Sequence, residues 1–251
     1  MIAGLANFRL PNPILMFSKT ARYYDAIYSF KDYDTEADAI RAIIQREHPA
    51  ARTILDVGCG TGEHARRLAT NFEVDGIDLE PEFITIAQSK VASGAFTVAD
   101  MRQFALEMQY DAVLCLFSSI GYLLQESEVI QAFTCFATHL ARGGVILVEP
   151  WFTPDAWHTG QPRLTPPVDL PELKICRMNV SDRRGDISLL HFHYLIGTPA
   201  GVDHIEEEHA LALYPVDQLL KCFRQAGLEA SHDPIGLSGR GLYIARRLEP
   251  A

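Results

Sequence analysis

Apolar positions follow a helical period early in the chain and a period of two late in it, and the change of period divides the sequence. Between Glu36 and Arg46, Ala37, Ile40, Ile43 and Ile44 fall on one helical face with charges opposite. Residues 53–57 form a short apolar run ending in glycines, the pattern of a buried strand, and a helix follows over about 62–69. Residues 74–78 make a second strand. Pro81 opens the next helix, at a turn that tolerates proline, with Phe83, Ile84 and Ala87 on its apolar side. Residues 95–99 and 112–117 are the third and fourth strands. A helical stretch from Val129 to Leu140 ends at Arg142-Gly143-Gly144, and residues 145–149 are the fifth strand. Strands alternating with helices at this spacing predict an α/β fold with a doubly wound parallel sheet.

After Pro150 the pattern alternates. Residues 173–181, 187–196 and 205–214 read as strands, separated by turn chemistry at Asp182–Asp186 and Gly197–Gly201. They predict a three-stranded antiparallel insertion. Pro215 then opens a helix running to Ala226-Gly227, and residues 241–247 make the last strand. The expected division is a loose N-terminal extension over 1–16, a core over 17–150, an insertion over 151–214, and a return to the core over 215–251. The extension is apolar but broken by Arg9, Pro11 and Pro13, and lacks the basic start and cleavage site of a signal peptide.

Composition narrows the function classes. The chain has 251 residues, and 22 Lys and Arg against 32 Asp and Glu leave a formal charge of −10. That balance argues against a nucleic-acid partner, which usually meets a basic face. No apolar run reaches the roughly 18–20 residues that span a bilayer, so no membrane partner is expected. Cys59, Cys115, Cys135, Cys176 and Cys222 are odd in number and form no CxxC pair. A cytoplasmic location is the expectation.

The chemistry begins at Asp56-Val57-Gly58-Cys59-Gly60-Thr61-Gly62, directly after the first strand and opening a helix. Glycines there admit positive φ and close approach of a ligand to the backbone. A dinucleotide fingerprint would place its third glycine where Glu63 stands, and a carboxylate sits badly beside pyrophosphate at a helix start. Asp78 ends the second strand, positioned to accept both hydroxyls of a ribose. Asp100-Met101 follows the third, a carboxylate for an adenine amino group and a thioether for its ring. All three features fall at the C-terminal ends of consecutive strands, where open α/β sheets bind ligands.

This set resembles the class I S-adenosylmethionine-dependent methyltransferases, over roughly residues 17–248. Residues 54–62 match that family's first motif, and Tyr110-Asp111-Ala112-Val113 and Arg142-Gly143-Gly144 match further on. The resemblance implies a Rossmann-like sheet with an antiparallel last strand, S-adenosylmethionine as cofactor, and a small-molecule acceptor. A narrower similarity, carried by Tyr24-Asp25, Lys31-Asp32-Tyr33, Asp100-Met101-Arg102, residues 117–121, Glu149-Pro150-Trp151 and residues 238–241, is to nucleotide-linked amino-sugar N,N-dimethyltransferases. It implies cofactor contacts from Tyr24, Tyr33, Gly58, Asp78, Asp100, Met101 and Leu116, with Asp56, Gly60 and Gly62 completing the loop. It puts Glu149, Trp151 and Arg240 at the acceptor. The chain departs from those enzymes at Tyr122, where they carry a histidine, and at Met16-Phe17, where they carry a tyrosine. The acceptor therefore stays open between an amine and a hydroxyl.

Tyr122 is the candidate catalytic residue, its phenol orienting the acceptor or relaying a proton; a packing tyrosine is the alternative. Arg240, between two glycines, is placed to grip a pyrophosphate or to pair with Glu149. Arg177, His191, His193, Glu207 and His209 read as a polar face of the insertion, solvated or lining an acceptor pocket. No metal is expected, since their spacing fits no zinc motif and transfer from a sulfonium needs none. A dinucleotide oxidoreductase and a non-catalytic S-adenosylmethionine-binding module are the rival readings. A homodimer is compatible with the pattern.

Overall fold

The computed structural model describes Phe17 and residues 19–248, so the extension expected over 1–16 lies outside the described residues. The elements are α1 (Tyr24–Ile27), α2 (Tyr33–Glu47), β1 (Thr53–Val57), α3 (Glu63–Leu68), β2 (Glu73–Asp78), α4 (Pro81–Lys90), β3 (Phe96–Val98), β4 (Tyr110–Cys115), α5 (Glu126–His139) and β5 (Leu140–Val148). There follow β6 (Pro162–Leu164), β7 (Val168–Leu170), β8 (Leu173–Arg184), β9 (Ile187–Thr198), β10 (Gly201–Ala212), α6 (Val216–Gln225), β11 (Leu228–Asp233) and β12 (Leu242–Arg247).

Seven strands form the main sheet in the order β11-β12-β5-β4-β1-β2-β3. β1 pairs in parallel with both β2 and β4, and β12 runs antiparallel to β5 and β11, so the Rossmann-like expectation with its antiparallel last strand is met. Both faces are covered. Leu55, Val57, Val113 and Ile146 pack against α5 and α6, where Phe133 and Phe223 stack at 3.9 Å. Ile54, Ala112, Leu114 and Leu147 pack against α2, α3 and α4. This two-sided burial is why these strands read as continuous apolar runs.

Three expectations need correction. The insertion sheet has five strands, not three: β10, β9 and β8 are the long ones expected, and β6 and β7 both pair with β8. Each has three residues, amid Pro162, Pro166, Pro167 and Pro171, too short for a period to show. β11 was not expected because it is an edge strand of mixed exposure, and Leu228-Glu229-Ala230-Ser231-His232-Asp233 carries no β-branched residue. Arg142-Gly143-Gly144 does not end α5, which stops at His139. The glycines lie inside β5, where Gly143 has φ +76° and the register with β4 shifts, a bulge.

The inner face of the insertion sheet closes over α1. Ile27 packs with Val168, Ile175, Tyr194 and Ile196 in a small core of its own. The sheet thereby roofs the C-terminal ends of β1, β2 and β4.

Candidate active site

Under that roof lies a cavity of about 590 Å³, within the range of small-ligand sites. It has two ends. One is formed by the glycine loop, Asp78, Asp100 and Met101; the other by Trp151, Leu190, Phe192, His209, Leu211 and Arg240.

At the first end the backbone does most of the shaping. Gly58 and Gly60 follow β1 with φ of +70° and +54°. A Cβ on Gly58 would come within 2.8 Å of the Ser119 side chain, so the loop's bareness keeps the cavity open. Asp78 receives the amides of Gly60 at 2.9 Å and Glu80 at 3.0 Å, which lock its carboxylate at the cavity wall. Burial outweighs those donors and holds its pKa above the ordinary range. Asp56 is pushed up to about 6, chiefly by burial, with His64 acting against the rise and Asp78 adding to it. Asp100 is gripped by Arg102 through Nε and Nη2, at 3.0 and 2.5 Å to Oδ2, and Arg102 Nη1 reaches Glu128 at 2.6 Å. Burial raises the Asp100 carboxyl but these bonds prevail and keep it low.

Glu63, the residue that spoils the dinucleotide fingerprint, also lines this end. Burial opposes its charge, yet Lys90, Arg67 and Arg66 lower its pKa to about 2. A fixed carboxylate at the start of α3 repels a pyrophosphate there, which disfavours the dinucleotide reading. Lys90 also binds Asp25 at 2.6 Å, and Asp25 accepts from Thr61 at 2.5 Å, tying α1 to the glycine loop.

Of the expected cofactor residues, Tyr24, Tyr33, Asp56, Gly58, Gly60, Asp78, Asp100, Met101 and Leu116 all line the cavity. Gly62 does not. It caps α3 with φ +78°, and a Cβ there would press on Ala87 of α4 at 3.0 Å, so its place is in helix packing. The described residues fit S-adenosylmethionine: the cavity holds a carboxylate at each of two strand ends, with the glycine backbone after β1 beside them.

At the second end the site is made of side chains. Glu149 lies beneath the cavity wall, fully buried, accepting from the Phe117 amide at 2.7 Å and from the Ser238 hydroxyl. Its third partner is Arg240 at 3.2 Å, so the expected alternative of an Arg240–Glu149 pair is realised. Arg240 nonetheless lines the cavity, 5.2 Å from the Phe117 ring centroid and 5.8 Å from that of Trp151. The Trp151 indole N–H donates to Ser188 of β9 at 2.9 Å. Phe117 and Ser118 adopt left-handed φ of 48° and 66°, a strained turn after β4 of the kind that clusters at functional sites. The Ser118 hydroxyl pins it by donating to Pro150 O at 2.7 Å.

Tyr122 lines the cavity from the 3₁₀ turn at residues 119–122, and its hydroxyl meets His209 Nδ1 at 2.9 Å. Burial holds its phenol well above the ordinary pKa. Phe17, noted above as a departure from the amino-sugar enzymes, and Tyr28 and Phe192, which motif reading did not single out, complete the aromatic wall. The polar face of the insertion splits in two. Arg177, Glu207 and His209 turn inward and are buried, whereas His191, His193 and His204 lie on the outer face. There His193 and His204 approach at 3.2 Å with Glu206 nearby, away from the cavity.

Comparisons with known proteins agree with the geometry. The Methyltransferase domain family matches residues 54–144. The chain is 37% identical to the dTDP-3-amino-3,6-dideoxy-alpha-D-glucopyranose N,N-dimethyltransferase of Streptomyces fradiae over 227 residues, 89% of each chain. The crystal structure of Streptomyces venezuelae DesVI superposes with a TM-score of 0.86 at 32% identity, covering 91% of this chain and 98% of that one. CalS10, an amino pentose methyltransferase of Micromonospora echinaspora solved with S-adenosylmethionine bound, gives 0.81 at 29% identity over 98% and 100%. The chain belongs to the class I S-adenosylmethionine-dependent methyltransferases. It is an enzyme whose methyl donor is S-adenosylmethionine and whose acceptor is a small molecule.

Proposed function

We propose that the enzyme N,N-dimethylates the amino group of a nucleotide-linked amino sugar. The observation that carries this reading is the 37% identity, over 89% of each chain, to a dimethyltransferase of such a sugar. The cavity is consistent with it: a polar recess at one end, and at the other an aromatic wall with Arg240 beside it.

The roles follow from position. Asp78 takes the ribose hydroxyls, its orientation set by the Gly60 and Glu80 amides. Asp100 shares its carboxylate between Arg102 and the adenine amino group, and Met101 covers the ring. Tyr24 and Tyr33 close this end from α1 and α2, with Leu116 beneath. The bound cofactor supplies an activated methyl group on a sulfonium. The protein supplies alignment and exclusion of water. Tyr122 orients the acceptor amine. Arg240 presents two N–H groups to the diphosphate while Glu149 fixes its angle, and Trp151 covers the sugar. Residues 17–150 with 215–251 form the core that holds the donor and lends Tyr122, Glu149 and Arg240 to the acceptor, and 151–214 are the acceptor-side insertion.

A cytoplasmic location accords with five cysteines that are all unpaired. A homodimer accords with Leu164, Met178, Val180 and Leu195, left exposed on the outer face of the insertion sheet; light scattering tests it. The substrate reading is tested by incubating the enzyme with S-adenosylmethionine and a dTDP-linked amino sugar. Mass gains of one and then two methyl groups are expected. Turnover of simple amines or phenols, with the nucleotide sugar inert, would refute it.

A further inference from the structure

Beneath the acceptor end, two buried polar atoms are left without partners. His209 is 1% exposed and Glu207 9%, yet His209 Nε2 and Glu207 Oε1 have no hydrogen bond among the described residues. They belong to one arrangement. His209 Nε2 lies 3.8 Å from Glu207 Oε2, which accepts from the Thr20 hydroxyl at 2.8 Å. The opposite nitrogen of the ring, Nδ1, meets the Tyr122 hydroxyl at 2.9 Å. Tyr122, His209 and Glu207 thus run from the cavity wall to a buried carboxylate. A buried polar atom left without a partner is costly, and the Glu207 carboxylate is the acceptor that stands 3.8 Å from His209 Nε2. With Nδ1 accepting from Tyr122, the neutral ring carries its hydrogen on Nε2, toward Glu207; a protonated ring would donate from both nitrogens.

Double methylation creates the need for it. A neutral amine attacks the sulfonium methyl: the N–C bond forms, the C–S bond breaks, and that bond's electron pair stays on sulfur. The nitrogen is then an ammonium, with its lone pair used. A second attack requires that one proton leave first. We propose that Tyr122, His209 and Glu207 form a proton relay that resets the acceptor nitrogen between the two methyl transfers. The ammonium N–H gives its proton to the Tyr122 oxygen as the phenol proton passes to His209 Nδ1. The imidazolium then donates through Nε2 to Glu207. The amine lone pair is restored, and the proton leaves to water as product exits. Tyr122 touches the acceptor, and His209 and Glu207 act through it as positioning residues. The relay rests on the amine reading above.

The surroundings suit an imidazole that takes up a proton. Glu207 faces it from its own strand, and Thr20 holds the carboxylate. Tyr24 approaches from α1 and Tyr28 from just after it, Tyr194 from β9, and Asp78 from the far wall. The opposing charge is Arg177 of β8, which lies over the Phe192 ring that also contacts His209; it donates to Tyr28 and Thr165.

The test uses His209→Asn, which can still accept from Tyr122 but cannot take up a proton. The unmethylated and monomethylated dTDP-amino sugars are assayed separately from about pH 6.5 to 9. In the variant the second transfer should fall about tenfold or more relative to the first near neutrality, within the usual reach of acid–base assistance. Monomethyl product should accumulate, and the loss should recover as pH rises and water takes the proton. Glu207→Gln should move the ratio the same way by less. A wild-type partition and pH profile in His209→Asn would overturn the relay. Should that variant not fold, ¹⁵N NMR of wild-type His209 decides: Nδ1 is expected as the acceptor nitrogen and Nε2 as the protonated one, and the reverse refutes the relay. Wild-type enzyme that methylates no amino sugar refutes the substrate reading, and the relay with it. An active wild type with an unmoved partition in the variant removes the relay alone.

Discussion

The two ends of the cavity are built by different means. The end proposed for the donor is made by consecutive strand ends, and its shape is backbone: Gly58 and Gly60 turn with positive φ, and two amides orient Asp78. The end proposed for the acceptor is made by side chains from six separate stretches: Phe17, Tyr122, Trp151, the strands β9 and β10, and Arg240. A backbone-built site tolerates little change and serves one ligand. A site built from side chains on an inserted sheet can be respecified without disturbing the first, which suits an enzyme family with one donor and many acceptors.

The largest expected effect falls on the donor end. Gly58→Val places a branched side chain at φ +70° against Ser119, where a Cβ alone would meet it at 2.8 Å. The backbone conformation costs about 1–3 kcal/mol before the clash is counted. S-adenosylmethionine binding should disappear from calorimetry; retained affinity would mean that the loop does not shape the pocket.

Asp78→Ala should come next, weakening S-adenosylmethionine by about 1.5–3 kcal/mol, the loss expected for hydrogen bonds to a charged group. Unchanged affinity in a folded variant would remove Asp78 from ribose binding. Asp78→Ala should not alter which acceptor is preferred.

Asp56 gives the donor end a pH signature. Its pKa is raised from 3.8 to about 6 by burial, so its contribution to stability is full below pH 3.8 and is lost as pH rises through about 6. Asp56→Asn removes the cost of the buried charge. It should raise the melting temperature above pH 6, by an amount equivalent to about 1–3 kcal/mol, and leave it nearly unchanged near pH 4. Glu63 works in the opposite sense, its stabilisation present above pH 4.5 and lost as pH falls through about 2. A flat difference between wild type and Asp56→Asn across this range would show that Asp56 titrates normally.

The smallest effect, and the sharpest test of the acceptor end, is Arg240→Lys. It keeps the charge facing Glu149 but loses the paired N–H geometry. The acceptor KM should rise about five- to tenfold, near 1–1.4 kcal/mol, with S-adenosylmethionine affinity constant. A drop in thermal stability alone would make the arginine structural.

Legibility followed the same division. The sequence by itself determined the α/β alternation, the position of the glycine loop, and the placement of Asp78 and Asp100 at strand ends. These are local facts: apolar period, turn residues, and the rule that ligands gather where parallel strands end. It also marked the insertion through its period of two, but not β6, β7 or β11, which are too short or too exposed to leave a pattern. Only the tertiary structure decided that Gly62 serves helix packing while Gly58 faces the cavity, and that Glu149 sits behind Arg240. It alone joined Tyr122 to His209, 87 residues away. A hydrogen bond across that separation exists because the insertion folds back over β4, and no periodicity in the chain encodes which side chains meet there.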